Sequence, residues 1–143
     1  MAIRSNHLFV NLPVKDLEKS KQFFEDIGFE FNEQLTDKNA ACVIVGPDMF
    51  VMLLMEDYFQ RFTQKEVTDT SSANEVIVSI SSDSKAGVDE IVGNALSAGA
   101  VPSNDRMDNE FMYASSFRDL DGHLWEVMYM PENEDDSDEE FYA

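Results

Sequence analysis

The residues able to do chemistry are few, and most of them sit in strand-like runs. Glu126 comes first. In the run Leu124–Met130, alternation puts Leu124, Glu126, Met128 and Met130 on one side and Trp125, Val127 and Tyr129 on the other. A carboxylate among leucine and methionine would be partly desolvated, which suits a general acid or base acting next to a carbonyl. The plainer reading is a carboxylate satisfied by a hydroxyl, an amide or water, with Tyr113 and Asn11 as candidate partners. His7 and Asn11 flank Phe9 on either side at strand spacing, so all three project from one face. His123, the other histidine, has odd parity relative to Glu126 and falls on the opposite face or in a turn. Cys42 alternates with Ala40 and Ile44 and has no base nearby in sequence, so it reads as a buried, inert thiol.

The methionines divide in the same way. Met55 reads as core filler beneath a helix, whereas Met52, Met112 and Met128 would line an open face. Such a face would be apolar and deformable, suited to a flat or greasy small ligand.

Charge narrows the partners. The 143 residues carry 10 Lys+Arg against 29 Asp+Glu, a net charge of −19. That balance disfavours phosphate backbones and anionic membrane surfaces. The longest apolar run, Met49–Met55, falls far short of the ~20 residues a membrane helix needs. With one cysteine there is no internal disulfide and no CxxC motif. The expectation is a cytoplasmic protein with no nucleic-acid or membrane partner. From Pro131 to the end the chain is acidic with no base, which reads as a solvated tail. Its Phe141-Tyr142 tip offers the alternative of a docking segment, and with it a protein-association role.

Two helical patterns must position these residues. Leu17, Phe23, Phe24 and Ile27 share one face, with Asp16 as N-cap and Gly28 as stop. Val88, Ile91, Val92, Ala95 and Leu96 form a second, with Ser84 as cap and Gly99 as stop. Each helix follows a short strand, Leu8–Leu12 or Val76–Ile80. Each precedes three more: Phe29–Leu35, Ala40–Val45 and Phe50–Met55 in one half, Val101–Met107, Phe111–Phe117 and Leu124–Met130 in the other. The chain therefore reads as βαβββ written twice, in an α+β fold. Residues 1–130 form one domain of two modules (about 3–62 and 75–130), with a connector at 63–74 that follows a helical turn at Asp57–Phe62, and 131–143 is the tail. Pairing two such units buries faces that one alone leaves open.

These residues resemble the vicinal-oxygen-chelate superfamily of glyoxalase, bleomycin-resistance and extradiol-dioxygenase proteins. The resemblance is carried by Asn11-Leu12-Pro13-Val14-Lys15-Asp16-Leu17-Glu18-Lys19-Ser20 and by Phe117-Arg118-Asp119-Leu120-Asp121-Gly122-His123-Leu124-Trp125-Glu126. The second has leucine where the superfamily's closing motif usually has proline. Phe111-Met112-Tyr113 and Met49–Leu54 point to a glyoxalase-like branch labelled predicted lactoylglutathione-lyase-like. The resemblance implies a curved mixed sheet with a concave ligand cup, and commonly a homodimer. It places the superfamily's metal-ligand positions at Phe9, Met52, Ile77 and Glu126, of which only Glu126 suits a hard or borderline divalent cation.

The leading expectation is a small-molecule binder of the bleomycin-resistance type, without metal or other cofactor. Its cup is drawn from His7, Phe9, Asn11, Met52, Leu54, Ile77, Met112, Tyr113, Leu124 and Met128. The alternative is a glyoxalase-like lyase, isomerase or dioxygenase-type enzyme acting on a carbonyl compound. Glu126 would be its catalytic base, or would hold Zn, Ni, Fe or Mn with His7 as the one residue that could join it.

Overall fold

A computed structural model describes residues 2–131, so the tail reading lies outside the described residues apart from Pro131. Strand β1 (Leu8–Val14) leads into helix α1 (Leu17–Ile27). The helix starts where the Asp16 side chain accepts the Lys19 N–H, and it stops at Gly28, whose φ of 123° is open to glycine and strained for other residues. Strands β2 (Glu30–Phe31), β3 (Ala40–Gly46) and β4 (Met49–Met55) complete a sheet of order β1-β4-β3-β2, with β1 parallel to β4. A short helix α2 (Glu56–Gln60) and an irregular connector follow.

The second half repeats the plan. Strand β5 (Ile77–Ser81) enters helix α3 (Lys85–Ser97), capped by the Ser84 hydroxyl on Gly87 N–H. Then come β6 (Val101–Pro102), β7 (Met107–Asp108), β8 (Tyr113–Arg118) and β9 (Leu124–Tyr129). Their sheet runs β5-β9-β8-β6, with β7 also on β8 and β5 parallel to β9.

Three strands are shorter than their apolar runs predict, because side chains take over the backbone's hydrogen bonds. Phe29–Leu35 yields only β2, since Asn32 accepts the Gln34 N–H and receives the Thr36 hydroxyl at its carbonyl, winding residues 33–35 into a 3-10 turn. Val101–Met107 splits into β6 and β7 around Asn104, whose N–H goes to the Ser116 hydroxyl instead of a strand partner. Phe111–Phe117 starts late because the Asn109 side chain accepts both the Phe111 and Met112 N–H groups.

One core joins the halves. Leu12, Val14, Val51 and Leu53 from the first sheet and Phe117, Trp125 and Val127 from the second belong to the same buried cluster. Helix α1 is the seam: Phe24 meets Trp125 at 5.2 Å between ring centroids, and Phe23 meets Phe117 at 6.2 Å. Each such buried aromatic contributes about 1.5–3 kcal/mol by burial. With its inner face turned to this core, each sheet leaves the other face open.

The Asp119–Gly122 turn locks the join. Asp121 accepts Lys15 N–H at 2.8 Å and the Ser20 hydroxyl at 3.2 Å, and its carbonyl receives the Thr70 hydroxyl from the connector. At Gly122, with φ of 82°, a Cβ would come within 2.9 Å of that Thr70 hydroxyl, so turn and connector fit only with glycine. His123 is buried in this turn with Nε2 2.6 Å from the Pro13 carbonyl, which takes it off the open faces. Asp119, also buried, accepts the Trp125 indole N–H and the backbone N–H groups of Asp121 and His123. Burial pushes its carboxyl above the usual carboxylate range, while His123 and these donors pull it back. Among the described residues no helix is long and apolar enough to cross a membrane.

Candidate functional site

Alternation decides what each open face carries. On β1, Val10, Leu12 and Val14 turn inward, leaving Phe9, Asn11 and Pro13 outward; on β4, Val51 and Leu53 turn inward, leaving Phe50, Met52 and Leu54 outward. The strand register sets Asn11 beside Met52 and Phe9 beside Phe50. Phe9 and Phe50 stack at 4.9 Å, with the His7 ring edge-on to both and His7 Nδ1 3.4 Å from Asp48. His7 therefore sits at the rim of the first sheet.

Against this face lies a hollow of about 700 Å³. Its floor is Asn11, Ala40, Met52 and Leu54; Leu35 and Thr36 close one side, and α2 with the turn after it sets Tyr58, Phe59 and Phe62 along another. Three of the expected cup residues, Asn11, Met52 and Leu54, thus meet in one cavity. Its wall carries one carboxylate, Asp37, already accepting the Asn39 and Ala40 N–H groups, and no lysine or arginine. The aromatic wall had only a faint trace in the sequence: the helical turn was visible at Asp57–Phe62, but not the direction of its side chains.

The second face is of another kind. Ile77, Ser79 and Ser81 of β5, Ala114 and Ser116 of β8, and Leu124, Glu126 and Met128 of β9 share it by register. Glu126 is half-buried and stands between Ser79 on one neighbouring strand and Ser116 on the other. Alternation could have flagged both serines. No residue of β5, β8 or β9 lines the first hollow, so one chain does not bring Met52 and Glu126 to a common cavity.

Two expected cup residues lie elsewhere. Tyr113 has the parity of Phe117 and faces the core: its hydroxyl donates to Asp89 on α3 at 2.6 Å, and Lys85 and Arg106 flank its ring. It cannot serve Glu126 from there. That hydrogen bond holds the phenol above its ordinary range. Met112 precedes β8 in the turn built on Asn109. Cys42 is fully buried, and burial pushes its thiol up, away from the reactive thiolate.

The fold's metal enzymes demand a donor set, and these residues do not supply it. Phe9 and Ile77 have no donor atom, Met52 offers only a soft thioether, and the register neighbours Asn11 and Ser79 add neutral oxygens. Glu126 is the single carboxylate, whether these positions come from one chain or two. Among the described residues no group of three or more His, Cys, Asp or Glu is placed to hold a metal ion. The residues do not fit a divalent metal centre.

Residues 7–46 match the bleomycin resistance protein-like N-terminal family. No curated protein matches the chain. Among solved structures, it is similar to the hypothetical protein SA1046 from S. aureus, at 29% identity and a TM-score of 0.74, over 90% of this chain and 95% of that one. A glyoxalase/bleomycin resistance protein/dioxygenase family enzyme from Burkholderia phytofirmans PsJN gives 16% identity and a TM-score of 0.72, over 86% and 97%. TnmS3, an antibiotic binding protein from Streptomyces sp. CB03234, gives 21% and 0.62, over 92% and 99%.

Proposed function

From the premise that this chain has the glyoxalase/bleomycin-resistance fold of the vicinal-oxygen-chelate superfamily, we propose that it binds a small, partly apolar molecule on the open face of its first sheet, without a metal. The observation that carries this is the hollow over Asn11, Met52 and Leu54, roofed by Tyr58, Phe59 and Phe62. A volume of about 700 Å³ lies within the range of small-molecule sites. Its aromatic and thioether walls favour a flat apolar body, and Asn11 supplies one hydrogen-bonding group. TnmS3, similar in fold, is an antibiotic binding protein, which agrees with such a role.

A second copy completes the site in this reading. Phe9 is exposed beside Phe50 on the first face, and Ile77 on the second. Apposing the first face of one copy to the second face of another would cover both patches and bring Glu126 over the hollow.

One observation favours a second reading, an enzyme of the glyoxalase type. Glu126 is half-buried between Ser79 and Ser116, and in this reading it would take a proton from a carbonyl compound held over that face. The two readings separate in one experiment. A compound library is screened by thermal shift on the wild-type chain, and each hit is then assayed for turnover, with metal content measured on protein purified without affinity nickel. The binder reading expects hits that raise the melting temperature, survive intact and need no metal. Turnover lost in Glu126→Gln would put the enzyme first.

A further inference from the structure

A second hollow, of about 520 Å³, runs along the free edge of β1 beneath the connector. Asn11, Phe59 and Thr63 line it and the first hollow alike, so the two cavities meet across these three residues. Both linings are largely apolar, and they differ in charge. Beyond Phe59 the apolar wall continues through β1 residues and Val76, and is joined by Lys65, Glu66 and Glu75. His123, also in the lining, is engaged by Pro13, and Thr70 by Asp121, which leaves a mixed trough where two carboxylates outnumber the one lysine.

We infer that the two hollows are compartments of one site, and that it selects an elongated molecule: a flat apolar head over Met52 and Leu54, and an amine-bearing arm passing Phe59 toward Glu66 and Glu75. The inference rests on the binding site proposed above and extends it. Phe59, Asn11 and Thr63, shared by both linings, stand at the boundary that such a molecule would cross. The arm's amine is drawn by two carboxylates on a chain of net charge −19, although their exposure keeps the gain modest.

The test uses two probes with one ring system, 9-aminoacridine and quinacrine, the second carrying a chlorine, a methoxy group and a dialkylaminoalkyl arm. Their dissociation constants are measured by fluorescence titration on the full-length wild-type chain and on Glu66→Gln/Glu75→Gln, with Met52→Trp as the variant that fills the first hollow. The expected result is quinacrine binding about tenfold more tightly than 9-aminoacridine to the wild type, with that ratio falling to about twofold in the double variant. Both probes should lose binding in Met52→Trp. A ratio near one in the wild type, with binding still lost in Met52→Trp, would overturn the second compartment alone. So would a ratio unchanged by the double variant. Binding of both probes unaffected by Met52→Trp, or no binding at all, would overturn the extended site together with the hollow it grows from.

Discussion

The two modules repeat one order of strands around one core, yet their open faces have little in common. Inward positions are alike: Leu12, Val51 and Leu53 in the first half answer to Ile80, Trp125 and Val127 in the second. Outward, the first face is aromatic and aliphatic, with Phe9, Phe50, Met52 and Leu54, and is overhung by α2. The second presents Ser79, Ser81, Ser116 and Glu126 at matching places. Packing holds the inward residues to one pattern, because a polar side chain there would be buried without a partner. Nothing in the core holds the outward ones. The difference separates what makes the fold from what any ligand would meet.

Cutting the seam tests the shared half of that comparison most severely. Phe24→Ala removes a 1% exposed ring that bridges α1 to Trp125, and should cost about 3–5 kcal/mol in denaturant unfolding. Both halves should still unfold in one transition; two separate transitions would mean the modules do not share a core. Next comes Asp119→Asn. An amide can accept from Asp121 and His123 through its oxygen, but its NH2 then faces the Trp125 indole N–H, donor against donor. The expected loss is about 1–3 kcal/mol, read from the same unfolding curves.

The open faces are probed without touching the core. Phe50→Glu places a charge against Phe9 in the proposed contact between copies, and should weaken self-association by about 2 kcal/mol in analytical ultracentrifugation while the fold persists. Unchanged association would move the contact elsewhere. The smallest effect is expected at Tyr113, a residue of the inward set. Its hydrogen bond to Asp89 raises the phenol above its ordinary value of 10.0, so the folded state holds that proton more tightly than the unfolded one. The stability so gained is full below that ordinary value and is lost as pH rises through the raised one. Tyr113→Phe should flatten that alkaline decline in a pH series of unfolding curves.

Much of the core was legible in the sequence because burial imposes the alternation that a reader sees. Trp125 and Val127 under the helices, the caps Asp16 and Ser84, and the stop at Gly28 follow from local chemistry alone. What escaped was set by contacts without periodicity. Asn32 and Asn109 end strands through their own side chains, which apolar runs do not reveal. Met112 and Tyr113 are neighbours in the run Phe111–Phe117, so alternation cannot put both in one cup, and the parity of Tyr113 with Phe117 assigns it to the core. The aromatic roof of the hollow rests on where α2 turns after β4, and a five-residue helix has too little pattern to tell.

The central claim, that the ligand site is the apolar face of the first module, is tested most directly by one differential measurement. Compounds that stabilise the wild-type chain are re-measured by thermal shift on Met52→Trp, which fills the first hollow, and on Glu126→Gln, which neutralises the second face. The account predicts that the shifts vanish in Met52→Trp and persist, at least in part, in Glu126→Gln. Shifts that survive Met52→Trp and disappear in Glu126→Gln would contradict it and move the site to the second module.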